Sequence, residues 1–195
     1  MITDIKQLDL SKQYTYADYL TWRFNERVEL IKGWVLKMSP GPNRKHQEIV
    51  GEMHLALGNF LHQKPCKVFL SPFDVRLPVS SKVGKHDTVV QPDITVVCDE
   101  QKLDQQGCMG APDIVIEILS PGNSKREMKD KFDIYQESKI TEYWLIDPIR
   151  EFAIIYTLDD QENYVGSRTY TSGDTLTSSV LNDFKFELNA IFDNE

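Results

Sequence analysis

Apolar residues recur at helical spacing between Asn43 and about His62, at Ile49, Met53, Leu57 and Phe60/Leu61, and predict a long amphipathic helix. His46 falls one turn before Ile49, near the helix start and on nearly the same face. A second helical stripe, Met128, Phe132 and Tyr135, predicts a helix from about Ser124 to Ser138, with Ser124 or Asn123 as its cap. Lys131 lies on the rim of that stripe, one turn before Tyr135. Thr15 and Asp18 have capping-box spacing, opening a short helix that would carry Tyr19, Leu20 and Trp22 inward.

Between these helices the pattern is that of strands. Residues 29–38 read as two short strands turning at Lys32-Gly33, and residues 67–77 as a strand interrupted or bent at Pro72. Chain breaks fall at Ser39–Asn43, in a loop from Pro78 to Asp87 containing Lys82, Lys85 and His86, and in a turn at Ser120–Ser124. Alternation places Val89, Gln91, Thr95 and Val97 on the face of Asp93 in one strand. In the next strand Val115 and Leu119 share the face of Glu117, while Ile114, Ile116 and Ile118 line the other. Both faces are apolar, so this is a central strand covered on two sides. Residues 99–112 are polar and contain glycine, and read as an exposed loop. Residues 141–147 form a strand stopped by Pro148, followed by strands at 152–158 and 164–170. The order is that of an α/β domain with a mixed sheet, spanning residues 1–195 as one unit.

A carboxylate in the middle of an apolar strand is costly to bury unless a metal, a lysine or good donors compensate it, which singles out Glu117. Asp93, Glu117, the carbonyl of Ile118 and Lys131 could together supply oxygen ligands for a hard ion such as Mg²⁺ or Mn²⁺ and a cation beside it, the requirements of phosphodiester hydrolysis. Duller readings stand beside this one. Lys131 could pair with Glu127 at i,i+4, Glu29 could lock the Gly33 turn or pair with Arg27, and His46 could be a core histidine. Asp74 and Gln91 are candidate supporting groups. The cluster Lys125, Arg126 and Lys129 either meets a phosphate backbone or solvates a helix.

Several segments occur together in order: Tyr16–Leu20, Glu29–Gly33, His46, Gln91–Asp93, Pro112–Pro121, Lys131 with Tyr135, and Glu142–Pro148. In these the chain resembles a group of prokaryotic restriction-endonuclease-like proteins within the PD-(D/E)XK nuclease superfamily. The resemblance implies a restriction-endonuclease-like αβββαβ core with additional antiparallel C-terminal strands. It also implies a metal-dependent endonuclease acting on DNA, with Pro92-Asp93 as the PD element and Glu117 as the second acid. The usual lysine position is Leu119 here; the resemblance assigns its role to Lys131 on the following helix, with Glu29, His46, Gln91 and Tyr135 as supporting residues. Glu127 stands where the group commonly has Asp, and Gly122-Asn123 where it has Ser-Thr. A homodimer would be the natural unit for cutting two strands.

Charge pulls the other way. A formal net charge of −8 gives no long-range attraction to nucleic acid, and favours a catalytically silent binding or assembly module, or another metal-dependent phosphoesterase. Three cysteines, Cys66, Cys98 and Cys108, show no pairing pattern, and the N-terminus lacks an apolar signal core; both lead to the expectation of a reducing cytoplasm. No apolar run is long enough to span a membrane.

Overall fold

A computed structural model describes residues 1–38, 43–78, 87–121 and 125–193. Parts of the expected breaks and caps lie outside these residues: Ser39–Pro42, most of the loop with Lys82, Lys85 and His86, and Gly122 to Ser124.

The capping box forms as expected: Thr15 and Asp18 bond reciprocally at the start of α1 (Tyr16–Tyr19). Trp22 turns inward, but Leu20 is 44% exposed, because the helix ends before it can present that side to the core. Strands β1 (Val28–Ile31) and β2 (Trp34–Lys37) pair across Lys32 and Gly33, both at positive φ (51° and 83°), the conformation a two-residue hairpin turn demands. Helix α2 (Arg44–Leu61) is capped by Asn43, whose side chain accepts from His46 N at 2.9 Å.

Each of the next two stretches is split between sheets. Residues 67–77 give β3 (Lys67–Leu70) and β4 (Asp74–Leu77), broken at Pro72. Residues 88–97, expected as one strand, give β5 (Thr88–Val90) and β6 (Ile94–Val97), because Pro92 has no N–H to continue a ladder. The segment 99–112, expected as an exposed loop, carries β7 (Leu103–Asp104) and β8 (Gly107–Met109) and buries Cys108. Central strand β9 (Ile114–Ile118) is followed by α3 (Lys125–Glu137), β10 (Glu142–Asp147), β11 (Phe152–Leu158) and β12 (Tyr164–Gly166). The strand expected over 164–170 stops at Gly166 and returns only as a bridge between Tyr170 and Ala153, since Ser167 bonds Ile155 through both backbone and hydroxyl. The C-terminal elements are β13 (Thr175–Thr177), β14 (Lys185–Glu187) and α4 (Asn189–Phe192).

The fold is α/β with a central mixed sheet in the order β12-β11-β10-β9-β6-β3, in which only β9 and β10 are parallel. In chain order α2, β3, β6, β9, α3 and β10 trace the expected αβββαβ core, and β11 and β12 extend it antiparallel. A second sheet, β2-β1-β5-β4-β8-β7, takes the remaining long-chain strands, and β13-β14 form a hairpin-like pair. Ile114, Ile116 and Ile118 face α2 and the C-terminal residues Leu176, Phe184 and Ile191, while Val115 faces Ile134, Tyr135 and the second sheet. Glu117 is on the Val115 side, as alternation requires. The α3 stripe is shifted from expectation: Lys131, Ile134 and Tyr135 are buried, and Met128 and Phe132 only half so.

Cys66 and Cys98 form a disulfide, next in register beyond the Lys67–Val97 pair of β3 and β6. Strand pairing over 32 residues of sequence creates this contact, so spacing did not reveal it. Cys108 is the remaining, buried thiol. Among the described residues no helix is long and apolar enough to cross a membrane.

Candidate active site

The chain crosses from one sheet to the other at Ser71–Phe73 and again at Gln91–Asp93, and the two crossings lie side by side, with Ser71 N donating to Asp93 O at 3.1 Å. Asp93 therefore sits on the seam between the sheets. Its Oδ2 accepts from Ile118 N at 2.8 Å and faces His46 Nε2 at 3.1 Å. With a carboxylate as acceptor the imidazole carries its proton on Nε2. His46 Nδ1 is buried and has no hydrogen-bond partner among the described residues.

Glu117, at the end of β9, accepts from Lys131 Nζ at 2.9 Å and from the Tyr135 hydroxyl at 2.5 Å, both at Oε1. The same ammonium lies 3.2 Å from Glu29 Oε1, which also accepts from Gln91 N at 2.8 Å. Lys131 thus pairs with Glu117 and Glu29, and Glu29 bonds neither the Gly33 turn nor Arg27. Their side chains are 8%, 12% and 1% exposed for Lys131, Glu117 and Glu29. Burial pushes the Glu117 carboxyl up to about 7; Lys131 opposes the shift, while Asp93 and Glu29 add to it. Burial works against the Lys131 charge, but Glu117, Glu29 and Asp93 outweigh it and hold its pKa above the ordinary lysine value. Tyr135 is raised well above a normal phenol by burial and by the same two glutamates, so it acts as a hydrogen-bond donor.

Gln91 joins this cluster to its surroundings. Its side-chain amide donates to Asp74 Oδ1 at 2.8 Å and to the Tyr19 hydroxyl at 3.2 Å, and its oxygen accepts from Arg27 Nη2 at 2.9 Å. Arg27 also bonds the Ser71 hydroxyl on the other crossing. The sequence reads Tyr19 as a core residue and Arg27 as a possible partner of Glu29 and does not mark Ser71; nothing in their spacing joins them to the site, because they converge from α1, the residue before β1 and a crossing. An open cleft of about 150 Å³ is lined by Arg27, His46, Gln91, Asp93, Glu117, Ile118, Glu127 and Lys131 among others. Of the predicted catalytic and supporting residues Asp93, Glu117, Lys131, His46 and Gln91 line it, and Tyr135 and Glu29 lie behind it, bonded to Glu117 and Lys131. Lys125, Arg126 and Lys129 do not line the cleft: they are exposed on α3, with Arg126 3.6 Å from Asp130 and Lys129 2.9 Å from Asp133.

Asp93, Glu117 and Glu29 place three carboxylates around one ammonium, and Glu29 Oε2 is buried without a hydrogen-bond partner among the described residues. That excess of negative charge and of hard oxygen donors fits a divalent cation. Among the described residues no three His, Cys, Asp or Glu side chains stand together to enclose an ion by themselves. The fit is accordingly to an ion that takes two carboxylates and a main-chain carbonyl and retains water, as Mg²⁺ does.

Comparisons with known proteins bear on the fold and the family. A chain from Anabaena variabilis, described as a putative nuclease belonging to DUF820, superposes with a TM-score of 0.70 at 21% identity, over 92% of this chain and 98% of that one. At that identity the likeness establishes the fold. No curated protein matches the chain. The Uma2 family, described as "Putative restriction endonuclease", matches residues 16–190, and the chain belongs to that nuclease-like family.

Proposed function

We propose that the protein is a metal-dependent endonuclease that hydrolyses phosphodiester bonds in DNA, with Mg²⁺ or Mn²⁺ held by Asp93, Glu117 and the Ile118 carbonyl, and with a homodimer as the unit that acts on two strands. The observation that carries this reading is Lys131, buried between Glu117 and Glu29 and facing the cleft that Asp93 enters. When bound, the ion would polarise a phosphate oxygen and lower the pKa of a water. The chain's own residues do the rest. Ile118 N and His46 fix one oxygen of Asp93 and leave the other turned elsewhere. Tyr135 and Lys131 both occupy Glu117 Oε1, which orients the carboxylate. The Lys131 ammonium, kept protonated by its two glutamates, can hold the attacking water in line and stabilise charge developing on phosphate.

Cleavage of plasmid and branched DNA with Mg²⁺ and with Mn²⁺ tests the reading. Wild type should cut, and Glu117→Gln and Lys131→Ala should each lose about a hundredfold or more in rate. No cleavage of any DNA or RNA, together with no cation binding by calorimetry, would overturn it. The net charge of −8 favours a second reading, a phosphoesterase for smaller substrates. Hydrolysis of a small aryl phosphodiester by a protein inert on DNA would establish that alternative.

A further inference from the structure

Two cations line the cleft besides its histidine, and they are differently placed. Lys131 is claimed by two carboxylates, whereas Arg27 bonds only neutral groups, the Gln91 amide oxygen and the Ser71 hydroxyl, and pairs with no carboxylate among the described residues. Its side chain is exposed at the mouth of the cleft, so its charge is open to solvent in a protein of net charge −8. Arg27 and Gln91 also border a second groove, of about 380 Å³, whose walls include Tyr19, Leu20, Phe24 and Pro72. The two hollows adjoin at Arg27 and Gln91, which line both. Leu20, expected in the core, is instead 44% exposed on the groove wall. The neighbouring Arg23 is turned back onto the carbonyls of Leu20 and Trp22, which leaves Arg27 as the cation facing both spaces.

We infer that Arg27 and this groove form a subsite for the nucleotide adjoining the bond to be cut, Arg27 taking its phosphate and the apolar wall its sugar and base. The inference rests on the phosphodiesterase reading above. A planar guanidinium held at one edge by a fixed amide presents its remaining N–H groups to a phosphate, and apolar and aromatic walls accept any base by its face. Besides Arg23, which is tied to main-chain carbonyls, the other polar walls of the groove are Asn25 and Glu26, too few to specify a sequence by themselves, so the subsite positions the strand.

The test measures binding of a fluorescein-labelled oligothymidylate to the full chain by anisotropy, with Ca²⁺ present and over a range of salt. Arg27→Ala should weaken binding about tenfold and reduce the slope of log K against log salt by about one. Arg27→Lys should restore the slope but only part of the affinity. Leu20→Glu, at an exposed position, should also weaken binding about tenfold by placing a carboxylate beside the phosphate path. Melting temperature and cation binding by calorimetry should match wild type in all three. The inference is overturned if Arg27→Ala or Leu20→Glu binds as wild type does. It is equally overturned if Arg27→Ala also loses cation binding, because Arg27 would then act through Gln91 and Glu29. Failure of wild type to bind any oligonucleotide sinks the phosphodiesterase reading and this inference together. Wild type that binds and cuts while the variants are unchanged sinks this inference alone.

Discussion

Because Glu117 is walled in by apolar strands and shares Lys131 with Glu29, its carboxyl holds a proton more tightly in the folded chain than in the unfolded one. The folded pKa of about 7 stands above the ordinary value of 4.5, so between them the folded state binds more protons. The resulting stabilisation is complete below the unfolded pKa and is lost as pH rises through the folded one. Without divalent cations, the melting temperature of wild type should therefore fall relative to Glu117→Gln between about pH 5 and pH 8. Added Mg²⁺ should remove that fall, since it binds the ionised form. Parallel melting curves for the two proteins across that range would show that Glu117 is not so placed. Lys131 gives a second prediction. Replacing it by alanine leaves Asp93, Glu29 and Glu117 facing one another with no cation, and should cost about 3–5 kcal/mol in denaturant unfolding. Adding Glu117→Gln should recover part of that loss, because the two side chains form one unit.

At the level of elements, the site depends on strands that change sheets. Period-two alternation made β9 and its glutamate legible, and helical spacing made α2 and α3 legible, which placed Glu117 and Lys131, while the site role of His46 came from the family resemblance. Pro72 was readable as a break, whereas the alternation running through Pro92 read as one strand; and a proline says only that a ladder stops, not that the chain resumes in another sheet. The Gln91–Asp74–Tyr19–Arg27 linkage was legible only in fragments, since each residue is ordinary in its own segment and meaning comes from the crossings. Gly107 shows how tightly the second sheet is tied to this region. Its φ is +136°, and a Cβ there would lie 2.1 Å from the Asp74 carbonyl oxygen. Gly107→Ala should separate β8 from β4 and cost about 2 kcal/mol or more, and should weaken cation binding if Asp74 moves Gln91 with it. Urea unfolding and calorimetry on one variant check both parts. Glu142 is a comparable anchor on the opposite face: buried, it accepts from Trp144 Nε1, Ser178 Oγ, and both Ser179 N and Oγ. No sequence pattern separates it from a surface glutamate. Glu142→Ala should strand those donors, lower stability by about 3 kcal/mol, and open residues 170–193 to proteolysis before the rest of the chain.

For the whole molecule the governing quantity is charge. A net −8 repels a polyanion at long range, and two of the basic residues of α3 that could offset this, Arg126 and Lys129, are paired with Asp130 and Asp133. In the cleft Arg27 is open to a phosphodiester, while the carboxylates repel phosphate until a cation neutralises them. Two consequences can be measured together. Oligonucleotide affinity should fall about tenfold or more when divalent cations are chelated, because the cation bridges carboxylate and phosphate. With Mg²⁺ or Ca²⁺ present, the slope of log K against log salt should be shallow, about −2 or flatter, since few phosphates meet protein cations. A slope near about −6 would require a basic surface that this chain's described residues do not offer. In that case a second copy would not supply it either, because a homodimer doubles the same acidic surface, and a basic partner protein would have to be sought.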